Sequence, residues 1–279
     1  PGAAHAVIGD KATDAVGRGL SKLGMPMWSS AFPLAYYPHA IKTQPSELKV
    51  VYFPSCINQT MGKSKGQSTP LIDKMVALME KAGYEVIFPK NMKNLCCGTI
   101  WESKGMPDIA DRKAKELDDA LFEASDGGRY PVLCDQSPCL HRMRNTIKRV
   151  KLYEPVEFIY EYLAPHLRFV QTDEPVALHF TCSTRHMNLN DMFVALAGMC
   201  TTKVVVPEEV GCCGFAGDKG FTDPEVNRYA LRKLRKQLEA AGVKRGFSNS
   251  RTCEIGLTVN GGVPYQSIAY LVDECTIKK

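Results

Sequence analysis

Two pairs of directly adjacent cysteines, each followed by glycine, constrain this chain more than any other feature: Cys96-Cys97-Gly98 and Cys212-Cys213-Gly214. Adjacent cysteines are poorly placed to bridge each other, and a disulfide framework would space its cysteines apart. The total of 11 cysteines is odd, which also argues against a closed set of disulfides. The usage reads as metal ligation in a reducing compartment. The fold therefore has to bring distant thiols to these two turns.

The surroundings of the turns repeat as well. Phe53-Pro54-Ser55-Cys56, with Met61 following, corresponds to His179-Phe180-Thr181-Cys182, with Met187 at the matching position. The turns lead to Lys104-Gly105 and Lys219-Gly220. Ile109, Leu117, Leu121 and Ala124 then match Val226, Leu234, Leu238 and Ala241 at a constant offset of 117. Cys134-Asp135-Gln136-Ser137-Pro138-Cys139 lines up with Ser248-Asn249-Ser250-Arg251-Thr252-Cys253, and each half closes on a short aromatic-containing helix pattern, near 157–163 and 266–272. Matches in one order at similar offsets point to a duplication.

Period and breakers supply the elements. Short β-branched or aromatic runs at 48–53, 84–88, 130–134 and 152–156 read as strands, with counterparts at 176–180, 203–206 and 246–248. Leu71, Met75, Leu78 and Met79 form a helical stripe within 69–82. Residues 108–125 and 224–241 read as longer amphipathic helices, the second opening on Pro224 with Asp223 as its cap. Strands alternating with helices predict an α/β fold: two tandem duplicated α/β units with short, mostly parallel sheets, related by a pseudo-twofold. The expected division is an N-terminal linker over 1–47 with one short helix, a first unit over 48–170 and a second over 171–279. The linker reading rests on Gly17, Gly19, Gly24, Pro26, Pro33 and Pro38, which break up any longer element.

In a parallel α/β sheet the carboxyl ends of the strands share one edge, so loops leaving three strands can converge. Each half offers a cysteine after one strand, a Cys-Cys-Gly turn, and a further cysteine after a later strand. The first set is Cys56, Cys96, Cys97 and Cys139, with Cys134 as a spare or fifth ligand; the second is Cys182, Cys212, Cys213 and Cys253. Four thiolates suit one 4Fe–4S-type cluster or one zinc. Structural zinc sites favour C-x-x-C knuckles, which neither half has, so adjacent cysteines with distant partners fit a cluster better; zinc stands as the alternative metal. Glycine permits an unusual backbone angle and a close approach, and free N–H groups can donate to sulfur. Cys200 and Cys275 have no partner in the repeat and read as small buried apolar residues. His179 and His186 flank Cys182 and read as packed or solvated, and Met61 and Met187 as core.

With those residues in view, the pattern Cys56…Cys96-Cys97-Gly98…Cys139 and its repeat resembles the cysteine-rich CCG domain. That domain occurs in heterodisulfide reductase, in anaerobic glycerol-3-phosphate dehydrogenase, in the iron–sulfur component of glycolate oxidase and at the C-terminal end of FAD-dependent, NAD-independent D-lactate dehydrogenases. The resemblance covers about 48–276. Glu209-Val210-Gly211-Cys212-Cys213-Gly214-Phe215-Ala216-Gly217 and Ser248-Asn249-Ser250-Arg251-Thr252-Cys253-Glu254 look most like the D-lactate dehydrogenase type. It implies an oxidoreductase whose iron–sulfur module carries electrons from FAD, held in a partner flavin-binding domain or subunit, toward a quinone or other acceptor. Catalytic residues for hydride transfer would lie outside this chain. It also implies a cytoplasmic setting, with peripheral association at the inner face of the membrane. The alternatives are a thiol/disulfide redox site of the heterodisulfide reductase kind, with a non-cubane cluster, and a zinc-stabilised assembly module. The family's fuller pattern ends each unit in C-x-x-C; here the first unit has a stretched C-x4-C and the second keeps Cys253 alone. The ferredoxin-like cysteine run often found upstream is absent, and so is a flavin domain. A start on Pro1 rather than Met suggests a fragment of a longer protein.

Bulk composition excludes several other classes. Apolar residues are 44% and charged residues 23%, so each half can build a core. The net charge of +5 is spread along the chain and marks no nucleic-acid tract. No apolar run approaches the roughly 20 residues of a spanning helix. Gly62-Lys63-Ser64 lacks the earlier glycine a phosphate-binding loop needs, because Ile57 stands there.

Overall fold

In the computed structural model the described residues are 43–64 and 67–279, with isolated positions before residue 43 (12, 15–17, 19, 20, 23, 25, 32–36 and 41). The expected N-terminal linker with its short helix lies largely outside the described residues.

The first half runs β1 (Lys49–Phe53), α1 (Cys56–Thr60), α2 (Leu71–Lys81), β2 (Glu85–Ile87), α3 (Thr99–Ser103), α4 (Pro107–Ala124), β3 (Val132–Cys134), α5 (Ser137–Thr146), β4 (Leu152–Tyr153) and α6 (Pro155–Phe158). β1 is apolar and buried on nearly every residue, as a strand covered on both faces must be. α4 opens on Pro107 and buries Ala110, Ala114, Leu117 and Leu121, one stripe along an otherwise charged helix. The second half runs β5 (Leu167–Phe169), β6 (Val176–Leu178), α7 (Cys182–His186), α8 (Asn190–Cys200), β7 (Val204–Val205), α9 (Pro224–Ala230), α10 (Leu234–Ala240), β8 (Arg245–Ser248), α11 (Arg251–Gly261), β9 (Tyr265–Ser267), α12 (Ile268–Glu274) and β10 (Thr276–Lys278).

Two four-stranded sheets result, ordered β2-β1-β3-β4 and β7-β6-β8-β9, with every pair parallel. Both have the same order, with the first strand of each sheet in chain order, β1 and β6, inside it. The fold is α/β with two short parallel sheets, as expected. A third, two-stranded antiparallel pair joins β10 to β5, folding the last strand back onto the segment between the halves.

Three of the differences from the sequence reading have a plain local cause. The helix expected over 224–241 is two helices, α9 and α10, with a turn between them. α9 lies close over Gly214, whose added Cβ would meet Val226 O and Ala230 Cβ at 2.8 Å, while α10 sends Leu234 and Leu238 into the core, so the chain re-aims between the two tasks. Asp223 does not cap α9; its carboxylate accepts from Thr222 Oγ1 at 2.6 Å and faces Lys219. Finally, the run at 266–272 splits into β9 and α12, because Ser267 caps the helix by accepting from Ala269 N–H.

One apolar core passes through both halves. Val50, Tyr52 and Leu133 of the first sheet share it with Val176, Leu178 and Phe247 of the second, sealed by α2, α8 and α12. Asp273 of α12 accepts from Lys74 of α2 at 2.5 Å and also pairs with Lys81.

Candidate metal centres

The two sheets deliver their cysteines in the same way. Cys56 opens α1 just after β1, Cys96 and Cys97 follow β2, and Cys139 sits in α5 just after β3. Cys182 opens α7 after β6, Cys212 and Cys213 follow β7, and Cys253 sits in α11 after β8. The preceding residue caps each short helix: Ser55 accepts from Asn58 N–H and Thr181 from Thr184 N–H.

The four thiols of each set are in contact as a chain. In the first half Cys96 lies within electrostatic reach of Cys56 and of Cys97, and Cys97 within reach of Cys139. In the second, Cys182 meets Cys212, Cys212 meets Cys213, and Cys213 stands 3.0 Å from Cys253. Among the described residues no three His, Cys, Asp or Glu side chains already surround a single-ion position. Cys56, Cys182 and Cys212 are exposed, whereas Cys97, Cys139 and Cys213 are buried.

Within each chain of thiols one sulfur is the acceptor. Hydrogen bonds from Cys56 and then Cys97 hold Cys96 far below the ordinary thiol range, helped by the Gly98 N–H at 3.4 Å. Cys212 is lowered in the same way by Cys182, Cys213 and the Gly214 N–H at 3.3 Å. The donors Cys56 and Cys182 are pushed up correspondingly. Phe215 N–H reaches Cys213 Sγ at 3.5 Å. The donor sets fit an iron–sulfur group in number and softness, and the N–H groups aimed at sulfur are the kind that tune one.

Glycine is required in both turns. Gly98 has φ +89°, and a Cβ there would stand 2.5 Å from Ala110 O; Gly214 has φ +71° and is equally crowded.

Cys134 turns its thiol to a backbone carbonyl instead. It ends β3, is fully buried, and its thiol contacts the Gln136 carbonyl at 3.8 Å. Its counterpart Ser248 is equally buried. Beside these residues the sequence reading missed a buried polar framework. Asp135 accepts from Tyr52 Oη at 2.7 Å and from Ser55 N–H at 2.9 Å, fixing the loop that carries Cys56. Gln136 donates to Ser250 Oγ at 2.9 Å, and Arg251 Nε donates to Asn58 Oδ1 at 3.1 Å, so the loops after β3 and β8 bind the halves together. Lys104 and Asp218 pair at 2.6 Å and link the segments beyond the two turns.

The remaining candidates fall as follows. His179 is buried, with Nδ1 3.4 Å from Ser248 Oγ, and burial lowers it to about 4. His186 is exposed, its ring 5.7 Å from that of His141. Met61 packs into the second half's core and Met187 into the first's. Cys200 and Cys275 are buried as expected, and the Cys275 thiol donates to the Cys200 carbonyl at 3.6 Å, a contact that no repeat could signal.

Fold and site together define a cysteine-rich protein with two thiol centres on parallel sheet edges. The family described as Cysteine-rich domain, CCG, matches residues 50–144 and 176–258, and the chain belongs to that family. A curated relative, lactate utilization protein A 1 of Bacillus mycoides, is 22% identical; the match covers 81% of this chain and 97% of that protein. A hypothetical protein of Helicobacter pylori superposes with TM-score 0.58 and 10% identity over 92% of this chain, which spans 53% of that structure, and it attests to the fold alone. An aspartate racemase homologue of Pyrococcus horikoshii reaches TM-score 0.33 at 14% identity, over 81% of this chain and 96% of that one, too distant to inform fold or site. No helix among the described residues is long and apolar enough to cross a membrane.

Proposed function

We propose that this chain is the iron–sulfur, electron-carrying component of a lactate-oxidising system. Its two centres would be held by Cys56, Cys96, Cys97 and Cys139 and by Cys182, Cys212, Cys213 and Cys253. The observation that carries this reading is the delivery of four neighbouring thiols from the same three strand ends in each half. The name of the Bacillus relative supports lactate, or a related D-2-hydroxy acid, as the ultimate electron source. Electrons would arrive from the FAD of a separate flavin domain or subunit and leave toward a quinone or another acceptor.

A bound iron–sulfur group would accept and release single electrons. The chain's own residues do the rest. The Gly98 and Gly214 N–H groups donate to cysteine sulfur and favour its anionic form. The buried Cys97, Cys139 and Cys213 keep water from one side of each centre, and the exposed Cys56, Cys182 and Cys212 open the other side to a partner.

The deciding measurement is iron, zinc and acid-labile sulfide on anaerobically purified chain, with visible absorbance and EPR. About four iron and four sulfide per half are expected from four-thiolate ligation. Cys212→Ser should remove the second half's share and leave the first. Zinc without sulfide would sink the electron-transfer reading.

A further inference from the structure

The carbonyl of the second cysteine in each turn is captured, and the two halves capture it differently. In the first half Arg142 Nε, from α5, donates to Cys97 O at 3.0 Å. In the second half Asn227 Nδ2, from α9, donates to Cys213 O. Both side chains are buried, Arg142 to 6% and Asn227 to 4% exposure. Each is itself fixed: Arg142 is held by Asp111 at 2.9 Å and by Glu102, while Asn227 Oδ1 accepts from Asn260 of α11. α5 and α11 also carry the last cysteine of each set.

The two donors do not correspond in the repeat. At the offset that matches Ile109 to Val226, Asn227 aligns with Ala110; at the offset that matches Cys139 to Cys253, Arg142 aligns with Gly256. One half therefore combines a small Ala110 with a long Arg142, and the other combines Asn227 with a Gly256 that has no room for a side chain. A Cβ on Gly256 would stand 2.5 Å from Asn227 Nδ2, and a Cβ on Gly98 2.9 Å from Arg142 Nε. The position of the donor and the space for it have exchanged together between two helices, while the hydrogen bond to the same carbonyl has been kept. A contact that served packing alone would not need its donor replaced from another direction.

We infer that Arg142 and Asn227 are the positioning residues of the two cysteine centres, each holding the carbonyl of the second cysteine so that its thiol stays beside the last cysteine of the set. The first clamp is a guanidinium flanked by the carboxylates of Glu102 and Asp111 and the second a neutral amide, so the two also set their centres electrically apart. A cation beside a redox centre favours the reduced, more negative state. Asp111 and Glu102 would remain after loss of Arg142, so removing it lowers the first centre's potential.

This inference rests on reading the cysteine sets as ligand sets, and its test separates the two ideas. Arg142→Gly, Arg142→Gly with Ala110→Asn, and Asn227→Leu are made in the full chain. Each cysteine of the metal-free, reduced protein is followed by N-ethylmaleimide labelling and peptide mass spectrometry, with the buried Cys134 as internal reference. Arg142→Gly should speed labelling of Cys97 about tenfold, ~1.4 kcal/mol of local opening, without moving Cys134 or Cys213. Adding Ala110→Asn should bring Cys97 back to within about twofold of the parent rate, since the new amide reproduces the second half's solution. Asn227→Leu keeps the heavy-atom branching while removing the donor, and should expose Cys213 but not Cys97. In the iron-loaded double variant the iron content should be retained, and the first centre's midpoint potential should fall while the second's stays. Unchanged Cys97 labelling in Arg142→Gly with unchanged Cys213 labelling in Asn227→Leu would overturn the inference, as would a double variant as reactive at Cys97 as the single one. If the parent chain takes up no iron, the labelling still decides the clamps, and the iron–sulfur reading falls separately.

Discussion

A Cβ on Gly98 would lie 2.5 Å from a backbone oxygen that cannot rotate away, and the positive φ adds strain of its own. Gly98→Ala and Gly214→Ala should each cost about 2–4 kcal/mol by the overpacking and positive-φ mechanisms. Gly211→Ala, one residue before the second cysteine pair, meets nothing within 4 Å at a non-positive φ and should stay within about 0.5 kcal/mol of the parent. Chemical denaturation of the three variants checks the contrast, which places the glycine requirement on one atom of each turn. Glu154 gives a second prediction at this scale. It caps α6 by accepting from Val156 N–H at 2.7 Å, yet burial raises its carboxyl from 4.5 to about 8. The folded state thus binds a proton more tightly than the unfolded one, so stability is lost as pH rises between the two values, at ~1.4 kcal/mol per pH unit where the difference is complete. Glu154→Gln keeps an acceptor for the cap without the charge. The variant should gain stability over the parent at pH 8 and little or none at pH 5; melting curves at both values test the sign.

At the scale of elements, α12 is held against α2 by Asp273, which binds Lys74 and Lys81 from a half-buried position. Asp273→Ala takes the carboxylate from both ammonium groups, leaving Lys81 the carbonyls of residues 273 and 276, and should cost roughly 1–3 kcal/mol, the range for hydrogen bonds to charged groups. Lys74→Met with Asp273→Leu should recover part of that loss, because apolar replacement of both partners removes the desolvation penalty; a double-mutant cycle by urea denaturation measures it. The same scale shows what the sequence made legible. β1, α2 and α4 follow directly from period, since each buries a single continuous stripe or a fully apolar run. The placement of the eight cysteines after the strands was readable because the turns and strands that carry them are marked by Cys-Cys-Gly and by β-branched runs. Arg142 and Asn227 were not: an arginine on a polar helix and an asparagine on a charged one look like solvated faces until the fold carries them to a carbonyl. The pair β5–β10 escaped because its strands are three residues each and lie 107 positions apart, Phe169 to Thr276, so neither local period nor repeat marks them. The break between α9 and α10 escaped for a similar reason, as it answers to the crowding over Gly214 rather than to any local breaker.

Taken as a whole, the molecule has two cysteine-bearing sheets and one principal core. Strands from both sheets fill that core together, α2 of the first half packs on α12 of the second, and Arg251 reaches across to Asn58 and to Ser64, each at 3.1 Å. Separating the halves would expose the buried faces of Val50, Val176 and Phe247 and strip Arg251 of two of its partners. The expected division at 170/171 is proposed as a boundary of descent rather than of folding. The full chain should accordingly unfold in one transition, with calorimetric and van't Hoff enthalpies equal, as a single cooperative unit requires. Met75, fully buried in α2 of the first half, supplies the sharper check. Met75→Ala should destabilise by about 2–5 kcal/mol, and amide exchange at Phe247, in the second sheet, should accelerate by the same free energy as exchange at Val50. If the halves were independent, Phe247 would keep its protection while Val50 lost it, and calorimetry would resolve two peaks. Coupling of this kind matters for the function proposed here. Two centres that share a core keep a fixed separation through every electron transfer, and a disturbance at one clamp is met by the packing of both halves.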